Sequence, residues 1–200
     1  MKKITKAFLL VSFIVVSSCS SSDDDAPVII TPPQSSTCTS TIPFFQTGKT
    51  MTYKMTQFGT VAGTLKLTVG TCNGDGFSIA REVFNTSGTL TSSATDLWKE
   101  SDNFLLSDSN SNGDYFSKIY KKDAVLGETW QVLRPDGSTV YHEVVNTDVV
   151  VTVPAGTFHC VEYVYTTSST VNESHIFWNH EVGQIKEDAG FVINELQSHN

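Results

Sequence analysis

The sequence predicts an all-β domain, built as an antiparallel sandwich or as a curved open barrel, with little helix. Along most of the chain after residue 50, apolar and polar residues alternate with a period of two. Such alternation is typical of strands that bury one face. Turn-forming residues separate these runs at short intervals, and no segment of ordinary helix length shows an apolar stripe.

The first predicted hairpin joins residues 50–58 to residues 61–69 through a turn near Gly59. Met51 and Tyr53 alternate with polar neighbours in its first strand. Asn, Gly and Asp at residues 73–76 then predict a second turn, after which another alternating strand begins at Phe77, Ile79 and Val83.

The second half of the chain continues the same pattern. Residues 140–145 alternate, whereas residues 149–153 form an unbroken β-branched and apolar run, which predicts a strand buried on both faces. Residues 154–156, Pro-Ala-Gly, predict a turn into a strand at residues 157–166, and a further strand carries Ile176 and Trp178.

Residues 1–18 have the build of a secretory signal peptide, with three lysines before a short apolar run. The run is shorter than the about 20 residues that a membrane-spanning helix needs. It ends in Val-Ser-Ser-Cys, which resembles the bacterial lipobox. That resemblance implies that Cys19 carries lipid, including palmitate-type acyl chains, and becomes the mature N-terminus held to a membrane.

Residues 19–37 predict a disordered linker that contains an acidic run, several serines and three prolines. The Ser-Asp-Asp-Asp at residues 22–25 is similar to the signal that sends Bacteroidetes lipoproteins to the cell surface. This implies a lipid anchor in the outer membrane, with the protein facing the exterior. A periplasm-facing location is the alternative. Residues 38–200 are then predicted to form a single antiparallel β-domain.

The charge of the chain excludes one class of partner. It has 13 basic and 21 acidic side chains and a net charge of −8. Loss of residues 1–18 removes three lysines, which leaves 10 basic against 21 acidic side chains and a net charge of −11. An acidic surface disfavours nucleic acid and leaves cations, neutral glycans and apolar ligands open.

The four cysteines predict one disulfide and one thiol. Cys19 is taken by lipid, and an oxidising compartment favours pairing among the others. The first hairpin returns Cys72 to the segment that enters the first strand, which puts it within reach of Cys38. Cys160 lies in the middle of a predicted strand, where a small buried apolar side chain is the expected role.

Three motifs in residues 126–188 resemble uncharacterised extracytoplasmic bacterial β-proteins. They are Gly-x-Thr-Trp within residues 126–130, Val-Pro-Ala-Gly-Thr-Phe at residues 153–158, and Trp178 followed by Val-Gly-x-Ile-Lys at residues 182–186. Some of those proteins are thought to fold like the periplasmic lipoprotein carriers, with a curved antiparallel sheet. The resemblance implies a fold and no particular activity.

No recognised catalytic motif occurs in the sequence. The first hypothesis is therefore a non-enzymatic binding or structural module of the envelope, which holds an apolar or glycan ligand in a concave face or joins an envelope protein. Aromatic side chains suit such a lining. The candidate lining residues are Trp98, Trp130, Tyr141, Tyr163 and Trp178.

The second hypothesis is a carboxylate-dependent surface hydrolase that acts on glycans. Glu100 and Asp102 share strand parity and lie beside Trp98 in the sequence. Glycosidases use two carboxyl groups that face each other across a cleft, so this pair would need such a placement.

One loop has the pattern with which an EF-hand-type loop begins. Oxygen-bearing side chains stand at its first, third and fifth positions and glycine at its sixth, although Ile119 stands where the last, bidentate carboxylate belongs. The same residue types also form polar turns, which is the favoured interpretation. The candidate ligands for weakly bound calcium are Asp108, Asn110, Asn112 and Asp114.

Overall fold

The computed structural model describes residues 38–74, 76–108, 114–168 and 173–200. All of them belong to the second of the two units into which the chain divides, 35–200. The predicted signal peptide (1–18), Cys19 and the linker (19–37) lie outside the described residues. The strands of the described part are β1 (Thr50–Gln57), β2 (Thr60–Asn73), β3 (Gly76–Phe84), β4 (Leu90–Ser101), β5 (Phe104–Asp108), β6 (Ser117–Lys121), β7 (Thr129–Leu133), β8 (Thr139–Val153), β9 (Gly156–Thr167), β10 (Ser174–Asn179), β11 (Gly183–Asp188) and β12 (Val192–His199).

The strands form one antiparallel sheet in the order β6-β5-β4-β3-β2-β1-β12-β11-β10-β9-β8-β7. Two meanders, β1–β6 and β7–β12, are joined where the first strand pairs with the last. Several pairs change register, for example between Val69 and Cys72 on β2, and such bulges bend a sheet. The sheet curls into a nearly closed barrel, which confirms the all-β prediction and selects the barrel from the two alternatives.

The edges of the sheet, β6 and β7, follow one another in the chain with seven residues between them. Side chains join these edges. The Tyr163 hydroxyl donates to the Lys121 carbonyl at 3.0 Å, and the Lys121 ammonium lies 2.6 Å from a Glu128 oxygen. The rings of Phe104 and Trp130 pack edge to face with centroids 5.4 Å apart. The barrel therefore has a seam that is held by side chains.

The predicted hairpins and turns are present, but residues 149–153 do not form a strand buried on both faces. They are the end of the long strand β8, in which Val151 and Val153 are buried while Val150 is 57% exposed. An antiparallel sheet that covers a single core has one solvated face, so β-branched residues also occur on the outside.

A segment before the first strand closes one end of the barrel. We call residues 38–49 the strap. It lies at the end where β1 begins and β2 ends, and Gly48 and Lys49 exchange backbone hydrogen bonds with Val69. Its three largest apolar side chains, Ile42, Phe44 and Phe45, are at most 2% exposed.

The strap packs against residues from distant strands. Phe44 contacts Tyr120 of β6 and Trp178 of β10, with ring centroids 5.8 and 5.5 Å apart. Phe45 contacts Phe77 at 4.7 Å and Trp98 of β4 at 6.2 Å. These contacts bury aromatic surface from both meanders, so the strap belongs to the core of the barrel.

Gly183 shows how closely the strap approaches the sheet. Its φ of 103° lies in the left-handed region. A Cβ atom there would lie 3.2 Å from the Phe44 ring and 2.8 Å from the Met51 sulfur. The Val-Gly-x-Ile-Lys motif therefore needs glycine for both its backbone conformation and its packing.

The strap is fixed covalently by the predicted disulfide. Cys38 and Cys72 are bonded, with Cα atoms 5.5 Å apart, and the bond ties the start of the strap to the end of β2. Cys160 is a free thiol, 2% exposed in β9, as predicted.

The burial of Cys160 predicts an unreactive thiol. Burial raises its pKa to about 12, so thiolate is scarce near neutral pH. We expect iodoacetamide to label Cys160 at pH 8 far more slowly than it labels glutathione, and at a comparable rate once urea unfolds the chain. Peptide mass spectrometry measures both rates. Rapid labelling in the native protein would contradict this placement.

Candidate functional site

The barrel contains a cavity of about 280 Å³ that lies above the strap and is partly open to solvent. Its lining comes from eight strands and the loops beside them, at the end where β5 ends and β6 begins. At about 30 Å³ for each water, this volume corresponds to roughly nine water molecules. Its lining residues are Trp98, Ser107, Tyr115, Ser117, Lys118, Ile119, Val132, Arg134, Val140, His142, Tyr165, Ile176, Trp178 and Gln184.

The strap and the cavity share two tryptophans. Trp98 and Trp178 line the cavity, are 6% and 2% exposed, and contact Phe45 and Phe44 of the strap. Because Trp178 also packs on Tyr120 with centroids 5.1 Å apart, aromatic contacts hold it on several sides. The strap therefore supports the part of the lining that these two rings form.

Three polar atoms of the lining residues are buried without a hydrogen-bond partner in the described part of the chain. They are the indole nitrogens of Trp98 and Trp178 and the hydroxyl of Tyr115. An indole N–H can only donate. A buried donor without an acceptor costs about 1–3 kcal/mol. Such groups are expected where a bound molecule or an ordered water supplies the acceptor.

The charged side chains of the lining are positive. It includes Arg134 and Lys118 but, among the described residues, no aspartate or glutamate. The Lys118 ammonium lies 4.2 Å from the centre of the Phe104 ring, so it makes a cation–π contact there. Burial, with a smaller effect from Arg134, lowers the pKa of His142 to about 4, so this imidazole is neutral at pH 7.

A second depression, of about 530 Å³, lies along β7, β8 and β9. The register places Gln131, Tyr141 and Thr166 side by side on the outer face, and Tyr141 is 49% exposed. Glu143 and Glu173 add two carboxylates. This outer groove is polar and carries no unpartnered buried donor apart from the Trp130 indole nitrogen, among the residues that the structure describes.

The five predicted lining aromatics do not meet in one pocket. Trp98 and Trp178 line the interior cavity, whereas Trp130 and Tyr141 line the outer groove. Tyr163 is 1% exposed and lines neither, because its ring packs on Tyr120 and its hydroxyl closes the seam. Tyr141 faces outward because it alternates with inward-facing Val140 and His142.

Glu100 holds the strap. Its carboxylate accepts hydrogen bonds from the Ser40 hydroxyl at 2.9 Å and from the backbone N–H and hydroxyl of Thr41, both at 2.7 Å. It also pairs with the Lys122 ammonium. Asp102 stands in the turn after β4, with φ of 52°, so the two carboxylates are not strand neighbours on one face.

These contacts of Glu100 predict a stabilisation of the strap that is lost in acid. Burial alone would raise the pKa of Glu100, but the hydrogen bonds from Lys122, Thr41 and Ser40 outweigh burial and lower the pKa to about 2. Because the unfolded chain binds this proton near pH 4.5, the stabilisation is complete above that pH and is lost as the pH falls towards 2. We expect Glu100→Gln to lower the free energy of unfolding by about 1–3 kcal/mol at pH 7. The free energy of unfolding of this variant should also fall less steeply as the pH drops from 4.5 towards 2.

Urea titrations between pH 2 and pH 7 measure this effect. The control is Asp102→Asn, an exposed carboxylate two residues away whose conformation asparagine tolerates. If the free energy of unfolding depended on pH in the same way in Glu100→Gln and Asp102→Asn, the contacts of Glu100 with the strap would contribute nothing to stability.

The predicted calcium ligands are only partly described. Asn110 and Asn112 lie outside the described residues. Asp108 is fully buried at the end of β5, and Asp114 is exposed. No group of three or more His, Cys, Asp or Glu side chains in the described ranges is placed to hold a metal ion. None of the described ranges contains a helix that is long and apolar enough to cross a membrane.

No protein-family model matches the chain, and no curated protein matches it. Two solved structures do. One is a predicted exported protein with a YmcC-like fold from Bacteroides fragilis, at a TM-score of 0.56 and 12% identity, over 79% of this chain and 99% of that one. The other is a predicted lipoprotein from Parabacteroides distasonis, at a TM-score of 0.52 and 13% identity, over 82% of this chain and 100% of that one. The described part of the chain thus shares its barrel-like fold with these two proteins.

Proposed function

We propose that this protein is a non-enzymatic binding module of the bacterial envelope, which holds a small ligand with an apolar body inside its barrel. The observation that carries the proposal is the interior cavity, whose lining combines aliphatic side chains with three buried polar atoms that lack partners. Binding sites typically pair a mostly apolar lining with a few polar groups that fix orientation.

The cavity favours a partly apolar ligand over a glycan. Ile119, Val132, Val140 and Ile176 line it together with the two tryptophans. The outer groove has the polar lining that a glycan would need, but its polar side chains lie at the surface, where water satisfies them. Binding to another protein of the envelope is a second proposal, for which we assign no particular surface.

The hydrolase hypothesis has no support from the arrangement of its two carboxylates. The carboxylate oxygens of Glu100 accept hydrogen bonds from the strap and pair with Lys122, and Asp102 lies apart in a turn. A glycosidase needs its two carboxyl groups free on either side of a cleft. We therefore favour binding over catalysis.

The proposed location is the outer membrane, with the barrel on a lipid anchor at Cys19 and facing the exterior. The lipobox-like sequence and the acidic run after it support this placement. The two structures with the same fold come from Bacteroidetes and are described as exported and as a lipoprotein, which also supports it.

The anchor is testable with Cys19→Ala. We expect the variant to lose metabolic labelling by palmitate and to leave the membrane fraction, because a single thiol carries the attachment. Protease added to intact cells then reports exposure at the surface. A variant that still labels and still sediments with membranes would refute the anchor.

The cavity is testable with N-phenyl-1-naphthylamine, a neutral apolar probe that fluoresces when it leaves water. We expect saturable binding at one site for each chain. We also expect energy transfer from tryptophan, because Trp98 and Trp178 line the cavity and absorb at shorter wavelength than the probe. Fluorescence titration measures both. Fluorescence that rises without saturation, or without energy transfer, would overturn the proposal.

A further inference from the structure

We infer that the cavity selects a small organic anion with an apolar body, a conclusion that rests on the proposed binding function and names its ligand class. The inference follows from hydrogen-bond donors without acceptors, from positive charge without negative charge, and from an aliphatic wall, all in one lining.

Three hydrogen-bond donors of the lining lack acceptors. The indole N–H groups of Trp98 and Trp178 and the Tyr115 hydroxyl have no partner among the described residues. Both indoles belong to side chains more than nine-tenths buried. Because an indole cannot accept, the missing partner must supply acceptor atoms, and an ionised acceptor makes roughly twice as strong a hydrogen bond as a neutral one.

The charge of the lining favours an anion. The whole chain has a net charge of −8, yet the described charged residues that line the cavity are Arg134 and Lys118. Asp136, in the turn after β7, lies close enough to interact with Arg134 but does not line the cavity. Since the Lys118 ammonium lies over Phe104, Arg134 is the cation available to a ligand. Burial lowers the pKa of His142 and raises the pKa of Tyr165, two other lining residues, and the nearby Arg134 guanidinium makes a smaller contribution that lowers both.

Two buried carboxylates stand near this region of the sheet and do not line the cavity. Asp96 lies on β4 with an Arg81 nitrogen 4.0 Å away, and Asp108 ends β5. Burial raises the pKa of Asp96, and Asp108 raises it further against the effect of Arg81. The Arg81 guanidinium offsets part of the negative charge of Asp96.

The aliphatic wall and the volume set the size of the body. Val132 and Val140 are cross-strand partners on β7 and β8, and Ile176 lies on β10, two strands from β8 in the sheet. A space of about 280 Å³ suits a short chain or a compact aromatic body and is too small for a complete lipid.

The test is displacement of N-phenyl-1-naphthylamine by three compounds with the same eight-carbon chain. These are octanoate, 1-octanol and octylammonium, which carry an anionic, a neutral and a cationic head. We expect octanoate to displace the probe at a concentration at least tenfold below 1-octanol, and octylammonium to be the weakest. Equal displacement by octanoate and 1-octanol would overturn the anion preference while the binding function stands, whereas absence of probe binding would overturn both.

Two variants of Arg134 test whether this residue causes the preference for octanoate over 1-octanol. Arg134→Gln should weaken octanoate by about threefold to tenfold and leave 1-octanol unchanged, while Arg134→Lys retains most of the affinity. Lys66→Gln, which removes a cation from outside the cavity lining, is the control. Equal loss of octanoate and 1-octanol in Arg134→Gln, or no change in either, would refute the role of Arg134.

Tyr115→Phe removes only a hydroxyl that has no hydrogen-bond partner among the residues that the structure describes. We expect octanoate binding to weaken severalfold with no loss of thermal stability, because deleting an unpaired buried polar group does not destabilise a fold. Tyr141→Phe in the outer groove should change neither property. A drop in melting temperature with unchanged octanoate affinity in Tyr115→Phe would show that the hydroxyl serves the fold and not the ligand.

Discussion

Replacing Phe45 by alanine lowers the free energy of unfolding by about 3–5 kcal/mol, the cost typical of truncating a fully buried phenylalanine. Phe45 is 0% exposed and packs against Phe77 and Trp98 from the strap. The substitution leaves a void between the strap and the sheet. Urea denaturation followed by tryptophan fluorescence measures the loss.

Phe191→Ala is the matched control, because Phe191 is 47% exposed and stacks only on exposed Phe58 in the described structure. It should cost less than about 1 kcal/mol. Equal costs for the two variants would mean that the strap is not part of the core. We also expect Phe45→Ala to weaken probe binding, since Trp98 loses its support.

Removing the disulfide, by Cys38→Ser together with Cys72→Ser, is expected to destabilise the protein by about 3–4 kcal/mol in the chain-entropy model. The bond closes a loop with a sequence separation of 34 and fixes the start of the strap. Urea denaturation with and without dithiothreitol measures the effect.

Reduction should destabilise the wild type and leave the double variant unchanged. Cys160→Ser would confuse this comparison because it buries a hydroxyl, so Cys160 stays in place in both proteins. If dithiothreitol left the wild-type midpoint unchanged, the strap would be held by its other contacts alone.

The hairpins and the disulfide could be predicted because they depend on local signals. Alternation in β1 and β2 and the glycine turns fix strands that are neighbours in the chain, and the first hairpin then brings Cys72 back to Cys38. The choice between sandwich and barrel could not be made. It depends on the pairing of β1 with β12, which are far apart in the chain.

The sequence does not predict the strap, because the strap forms no strand. Ile42, Phe44 and Phe45 are an apolar cluster in a segment without alternation, and only the neighbouring Cys38 indicated that the segment is held. The predicted pairing of Glu100 with Asp102 fails for a related reason. Spacing in the chain suggests Asp102 as its neighbour, whereas its partners lie in the strap and at Lys122.

The candidate site was predictable only in part. Trp98 and Trp178 were named from residue type, and both line the cavity. Strand parity could have placed Tyr141 outside, since Val140 and His142 on either side of it face inward. The unpartnered indoles and Arg134 could not be found in this way, because the cavity is assembled from eight strands after the barrel closes.

The most direct measurement for the interior site is the affinity of N-phenyl-1-naphthylamine for Ile176→Trp, which fills the cavity. Ile193→Trp is the control, because Ile193 is a half-buried strand residue that does not line the cavity. Melting curves of both variants establish that they fold. The interior site predicts at least tenfold weaker probe binding in Ile176→Trp and wild-type binding in Ile193→Trp. Wild-type affinity in a folded Ile176→Trp variant would contradict it.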